Sequence, residues 1–176
     1  MRGKKYRIQE RKKAYHVYWL TGRIIKLISE ELGLMSLFQD ISKAAAVDCV
    51  IDSKIERILF AVKREEMGLA VGRSGGTVKN IQKAIGRPVE LVEWSDDPKQ
   101  FVMNSLNPLL ITEVRMSEQS DGNKETATVV VDGKKMGAVL GIGGRNAERA
   151  RLLAKRHFSI ERIRIVAQAG LNVSIA

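Results

Sequence analysis

Two glycine-rich segments have the residue types and the spacing of a loop that holds phosphate groups. The first reads Gly72-Arg73-Ser74-Gly75, and the second reads Gly141-Ile142-Gly143-Gly144. Because glycine has no Cβ, its backbone adopts positive φ at little cost and lets a bulky ligand lie against it. Each segment precedes a stretch with helical spacing of apolar residues, and the first N–H groups of a helix are unpaired and favour anions. The pattern predicts two helix-opening loops suited to a phosphodiester backbone.

The two segments belong to a longer duplication. Residues 62–85 align without a gap with residues 131–154 at an offset of 69 positions, so that Met67-Gly68 meets Met136-Gly137. Stacked repeat proteins have units of about 20–50 residues. The longer offset indicates instead that a small domain has been duplicated.

The first loop has the side chains expected of an RNA clamp. Gly72 and Gly75 allow a sugar-phosphate to approach, and Arg73, which precedes Ser74, is suited to pairing with a phosphate. The backbone amide of Gly76 is expected to face the loop at the start of the helix. We therefore predict RNA contacts along residues 72–76.

The helix after the first loop extends the basic character. Lys79 and Lys83 lie four positions apart, which places them on one helical face. They are interpreted as a continuation of the positive track, with a merely solvated helix face as the alternative. Four apolar residues around the loop are expected to be core, although they could also wall a groove for bases: Met67, Leu69, Val71 and Val78.

The second loop departs from this pattern, because Ile142 and Gly143 are not basic. Its helix also begins with the small apolar residues Ala147 and Ala150. A weaker clamp or a purely structural domain is therefore possible. Basic residues nearby favour RNA contact over an inert surface, and Arg145 and Arg149 are the candidates on the helix face. The full basic set is Arg145, Arg149, Arg151, Lys155, Arg156, Arg162 and Arg164.

The composition limits the class of protein. The 176 residues are 44% apolar and 28% charged, with a net charge of +10. No membrane-spanning run or signal peptide is visible, and Cys49 is the only cysteine, which together favour a cytoplasmic protein. The sequence has no catalytic constellation, no zinc ligand set and no nucleotide-binding loop, so we expect no enzyme activity and no cofactor.

Periodicity and turn residues divide the chain into five parts. Strands are predicted at 47–51, 58–62, 89–94, 110–116, 126–132 and 160–166, with a helix before each hairpin. Residues 1–26 contribute +8 of the net charge, and we favour a disordered extension or an upstream translation start over an RNA-contacting arm. The predicted parts are a basic N-terminal extension (1–23), a first domain (24–95), a linker helix (96–108), a second domain (109–168) and a tail (169–176).

The loop, helix and strand order resembles the type II KH RNA-binding domain, in which a GXXG loop clamps about four nucleotides. Longer phrases are similar to archaeal NusA-like transcription factors over about residues 24–168. They read SEEL, LMSLFQDI, VDCVID, MGLAVGRSGG, EWSDDP and RARLLAKRHF. The resemblance implies an α+β fold of two tandem type II KH domains, each with a three-stranded mixed sheet and helices on one face.

The same resemblance implies a role in transcription elongation, termination or antitermination. The expected partners are single-stranded RNA of the nascent transcript and RNA polymerase, with no membrane, and the protein is expected to be a monomer. Composition and spacing by themselves indicate only tandem single-strand binding. Two alternatives stay open: a protein-interaction scaffold, and a ribosome-associated KH protein whose RNA binding has degenerated.

Overall fold

The computed structural model describes residues 6–10, 13–20, 23–118 and 125–168. The chain forms two compact units, Met1–Asp97 and Pro98–Ala176. In the described residues, no helix has the length and apolar character that crossing a membrane requires.

The first unit begins with three strands and continues with a mixed helix–strand arrangement. Its elements are β1 (Tyr6–Glu10), β2 (Lys13–Leu20), β3 (Arg23–Ile28), α1 (Ser29–Ser42), β4 (Ala46–Asp52), β5 (Arg57–Val62), α2 (Met67–Val71), α3 (Gly76–Ile85) and β6 (Val89–Glu93). The order from α1 onward is α-β-β-α-α-β, as the sequence predicts.

The second unit has the same order of elements. They are α4 (Pro98–Ser105), β7 (Ile111–Glu118), β8 (Glu125–Val131), α5 (Met136–Leu140), α6 (Arg145–Phe158) and β9 (Ile160–Ala167). The strands follow the predicted ones to within two residues at either end, because alternating apolar residues mark them clearly.

Each unit contains a mixed three-stranded sheet of the same topology. In the first, β4 is antiparallel to β5 and β5 is parallel to β6; β7, β8 and β9 repeat this pairing. Both first strands have a bulge after their first residue, at Ala46 and at Ile111. The duplication read from the loops therefore extends to the details of strand register.

Helix α4 is the structural counterpart of α1, although the sequence analysis assigned it to a linker. The Ser42 hydroxyl donates to the Phe38 carbonyl at 2.7 Å, and the Ser105 hydroxyl donates to the Phe101 carbonyl at the same distance. Phe101 is completely buried and its ring centroid lies 5.5 Å from that of Phe158 in α6. Burying such a ring contributes about 1.5–3 kcal/mol, so α4 is part of the core of the second unit.

The core of the first unit lies between its sheet and helices α1–α3. Phe38 and Phe60 lie at its centre, with ring centroids 4.5 Å apart. Leu59 and Ala61, which point to the opposite face of the sheet, are also completely buried. The first sheet is thus buried on both faces.

The N-terminal part is a sheet rather than the disordered extension favoured from the sequence. Strands β1, β2 and β3 form an antiparallel sheet in which Tyr6 pairs with Val17 and Tyr15 pairs with Ile28. Ile25 and Leu27, two positions apart on β3, are buried. The alternation of aromatic and β-branched residues typical of strands was obscured by the high lysine and arginine content.

Candidate nucleic-acid interface

The first loop has a backbone that only glycine allows. Gly72 lies at φ 71° and ψ 176°, a region essentially restricted to glycine. A Cβ at this position would lie 2.1 Å from the Thr77 hydroxyl oxygen. Ser74 and Gly75 also have positive φ, and the Gly75 amide donates to the Gly72 carbonyl at 3.2 Å. The two glycines therefore fix a tight turn immediately before α3.

The second loop repeats this turn. Gly141 lies at φ 74° and ψ 169°, and Gly143 and Gly144 have φ of 62° and 75°. The Gly144 amide donates to the Gly141 carbonyl at 3.0 Å. A Cβ on Gly141 would lie 2.8 Å from the Asn146 side chain, which occupies the place of Thr77 in the first loop. Both glycine patterns thus encode one backbone shape.

The start of α3 differs in one respect from the expectation. The Gly76 amide donates to the Arg73 carbonyl within the turn, and is therefore used internally rather than directed at a ligand. Its counterpart Arg145 donates its amide to the Ile142 carbonyl. No side chain caps either α3 or α6, so the following amides and the positive end of each helix dipole remain to interact with an anion.

The basic side chains of the first loop are exposed. Arg73, Lys79 and Lys83 form no ion pair with any residue in the described part of the chain, and Ser74 is exposed beside them. Lys79 and Lys83 border one surface depression of about 490 Å³. The structure therefore brings the two predicted lysines together beside α3.

Arg87 borders the same depression and was missed by the sequence analysis. Its guanidinium Nη2 lies 2.9 Å from a carboxylate oxygen of Glu30, and both side chains are partly exposed. The sequence signal for this residue is its place in the Gly86-Arg87-Pro88 turn directly after α3.

Apolar surface lies directly before the first loop. Leu69 is 54% exposed and Val71 is 37% exposed, both on α2, so the expectation that they are core residues is wrong. Met67 and Val78 do pack against the core. The short helix α2 cannot turn all of its apolar residues inward, and the exposed pair flanks the glycine turn.

The second loop carries no comparable charge. Ile142 at its tip is 94% exposed. Arg149 was predicted to contact RNA, but its Nε donates to the Ser105 carbonyl at 2.7 Å and its Nη2 donates to the Leu106 carbonyl at 2.8 Å. These bonds satisfy carbonyls at the end of α4. Because this guanidinium is committed to the fold, we remove Arg149 from the candidate interface.

Other basic residues of α6 also have internal partners. Arg151 forms two hydrogen bonds with the Glu148 carboxylate, each 2.8 Å long. The Lys155 ammonium lies 3.0 Å from the Glu161 carboxylate. Arg145 is exposed and also interacts within the chain. The basic residues of α6 therefore compensate for the uncharged second loop less than their number indicates.

Comparison with known proteins identifies the family. Residues 34–96 match the family model of the KH domain. The chain is 31% identical to the probable transcription termination protein NusA of Methanocaldococcus jannaschii, over 82% of this chain and 76% of the relative. It is 36% identical to the protein of the same name from Halobacterium salinarum, over 80% of this chain and 98% of the relative. The chain belongs to the archaeal NusA-like family of KH proteins.

A solved structure supports the fold of this NusA-like chain. The crystal structure of APE1850 matches with a TM-score of 0.71 and 33% identity, over 78% of this chain and 98% of that chain. The resemblance drawn from the sequence phrases is thereby confirmed. The KH family model covers the first loop, and residues 141–144 lie outside the matched segment.

Proposed function

We propose that this protein is an RNA-binding transcription termination factor that holds single-stranded nascent RNA on the loop of its first unit. The names of its relatives and the KH match support the class of function. The observation that carries the role of the loop is the glycine turn with an exposed, unpaired Arg73 at its tip. RNA polymerase is a proposed partner because transcription termination acts on the transcribing enzyme.

The chemistry follows from three neighbouring surfaces. The turn at Gly72–Gly75 admits a sugar-phosphate, and the free amides of α3 together with Arg73 supply donors for its oxygens. Lys79 and Lys83 continue the positive track along α3. Leu69 and Val71 offer apolar surface to the faces of splayed bases. Binding of this kind positions RNA and requires no covalent step, so we propose no enzyme activity.

We further propose that the second unit is a second type II KH domain whose first helix is α4. Its sheet register and its loop angles match those of the first unit. The loop at Gly141–Gly144 would contact RNA through its backbone and Arg145, without the phosphate pairing that Arg73 provides. The expected contribution to affinity is smaller than that of the first loop.

Fluorescence anisotropy with short single-stranded RNAs tests the proposal on the full chain. The double variant Arg73→Asp/Ser74→Asp should weaken binding roughly 100-fold, because it replaces a charge-assisted donor by two repelling carboxylates. The matched control is Lys43→Asp/Thr112→Asp, which changes the net charge equally at two exposed positions outside both loops. The control should lose far less affinity.

The outcomes separate the proposal from its rivals. Equal losses in both variants would show that net charge, not the loop, binds RNA. Wild-type affinity in the loop variant, or no RNA binding by the wild type, would favour a protein-docking or ribosome-associated role. Thermal unfolding of each variant shows whether the fold is retained.

A further inference from the structure

The second sheet has an outer face, opposite α6, whose edge strands β7 and β9 carry exposed polar side chains and which neither loop uses. Strand register places three pairs of polar residues side by side on it: Arg115 and Ser117 on β7, Thr126 and Thr128 on β8, and Arg162 and Arg164 on β9. Ala127, between the two threonines, points to the other face and is completely buried. We call these six residues the outer face of the second sheet.

The corresponding face of the first sheet is closed. Asp48 and Val50 on β4 and Leu59 on β5 are less than 10% exposed there. In the second sheet the central strand is likewise buried at Thr126 and Val130, but Arg115, Ser117, Arg162 and Arg164 on the edge strands are exposed. A surface of this character therefore exists in the second unit and not at the matching place in the first.

The two arginines on β9 have unpaired charge. Neither Arg162 nor Arg164 forms an ion pair with any residue that the structure describes. Side chains two apart on a strand lie on one face, about 6.6 Å apart along it. Arg115, across Thr128 from Arg164, is paired with the Glu113 carboxylate at 2.7 Å. The free positive charge is therefore concentrated along β9.

The residue types favour a phosphate backbone over a protein surface as the partner. Stable protein interfaces have an apolar or aromatic centre. The apolar residues on this face are Val130, which is buried, and Val166 at one end of β9, which is 39% exposed, and none of the described residues of the face is aromatic. Arginine forks match phosphate oxygens, and the partly exposed hydroxyl of Thr128, beside Arg164, can donate to them as well. Without aromatic rings, the surface has no platform for stacking bases.

We infer that the outer face of the second sheet binds the phosphate backbone of single-stranded RNA, in a contact independent of base sequence. The inference rests on the proposed function, because the RNA is the transcript held by the first loop. Phosphate contacts position a strand without reading it. RNAs long enough to reach beyond the first loop should therefore bind more tightly than short ones.

The test compares two single-stranded RNAs without internal pairing, a 5-mer and a 20-mer, by anisotropy at several salt concentrations. The variant is Arg162→Gln/Arg164→Gln, and the control with equal charge change is Lys134→Gln/Lys135→Gln, also exposed. The β9 variant should bind the 20-mer about tenfold less tightly at 0.1 M salt, with a salt slope smaller by about 1.4. Its affinity for the 5-mer should not change.

Each of the other possible results contradicts either this inference or the proposed function. Unchanged 20-mer binding, or an equal loss in the control, overturns the inference while leaving the loop proposal intact if the 5-mer still binds. Failure of the wild type to bind either RNA defeats the proposed function itself. If poly-glutamate binding depends on Arg162 and Arg164 while RNA binding does not, the face recognises acidic protein instead.

Discussion

At Gly72–Gly75 and at Gly141–Gly144 the chain makes the same turn, yet the tips of the two turns are chemically different. Corresponding φ and ψ angles differ by 13° or less. The first tip presents Arg73 and the second presents Ile142. Glycines at fixed spacing therefore specify the shape of the loop, whereas the intervening residues decide how strongly it attracts a phosphate.

The sheets of the two units also differ in where their charged side chains lie. Arg57 is completely buried in the first sheet and pairs with Asp52 at 3.0 Å and with Glu90 at 2.9 Å. At an offset of 69, its place in the second sheet is taken by Thr126. In the second sheet, the ion pair between Arg115 and Glu113 lies on the surface. Among the described residues, the first sheet therefore contains a completely buried arginine with two carboxylate partners, and the second sheet contains no such cluster.

The largest expected effect comes from removing that buried charge. Arg57→Ala leaves two carboxylates without their partner, and should lower the free energy of unfolding of the first unit by about 3–5 kcal/mol. Thr126→Ala should cost the second unit only about 1 kcal/mol. Urea unfolding measures both, with tryptophan fluorescence for the first unit, which contains Trp19 and Trp94, and circular dichroism for the whole chain.

Arg64→Ala is the control for this prediction, because the exposed Arg64–Glu93 pair at 3.9 Å should contribute about 0–1 kcal/mol. A loss at Arg57 no larger than that at Arg64 would show that the buried cluster is not what stabilises the first unit.

The next largest effect is a difference in stability between substitutions in the two glycine turns. Gly72→Ala and Gly141→Ala each force a residue with a Cβ into a conformation that costs about 1–3 kcal/mol. At Gly72 the clash includes the Thr77 backbone nitrogen at 2.8 Å, whereas at Gly141 the three nearest atoms all belong to the end of the Asn146 side chain. Gly72→Ala should therefore destabilise its unit more, as measured by the same urea unfolding. Equal losses would mean that backbone strain alone decides the cost.

Sequence reasoning predicted most of the fold because the fold depends on local patterns. Alternating apolar residues marked β4–β9, and the offset of 69 between Val62 and Val131 predicted the duplicated topology. The sequence alone could not show whether α4 is a linker or part of the second unit, because an amphipathic helix of eight residues has the same pattern in both cases. Only the burial of Phe101 decides between them.

The site was predicted less well, because exposure and pairing depend on tertiary contacts. A helical wheel placed Arg149 on a basic face but could not show that the carbonyls of Ser105 and Leu106 lie beside it. Leu69 and Val71 have the composition of a core, and their exposure follows from the shortness of α2. Gly72, Gly75, Gly141 and Gly144 do use the positive φ that glycine allows, which the sequence analysis gave as the reason for glycine in these loops, since sterics at a glycine are local.

A smaller effect tests whether charge alone distinguishes the two loops. Ile142→Arg gives the second turn the residue type of the first on an unchanged backbone. We expect RNA affinity to rise by about tenfold at most and the salt slope to steepen by about 0.7, which corresponds to one added phosphate contact. Ile142→Gln, which is polar but uncharged, is the control. Unchanged binding by the arginine variant would mean that the second turn lies away from the RNA.

The smallest effect concerns the exposed ion pair of the second sheet. The pKa of the Glu113 carboxyl is lowered, mainly by the hydrogen bond from Arg115. Desolvation raises this pKa, whereas the positive charges of Arg115 and Lys99 lower it further. Because the pKa is lower in the folded protein, the stabilisation from this pair is present above the unfolded pKa of about 4.3. It is lost as the pH falls through the folded value.

Carbon-detected NMR titration of the full chain should give a Glu113 pKa below the ordinary range, and Arg115→Gln should return it toward that range. Thermal stability at neutral pH should barely change, since an exposed pair contributes little. A Glu113 pKa that stays low in Arg115→Gln would assign the shift to Lys99 instead.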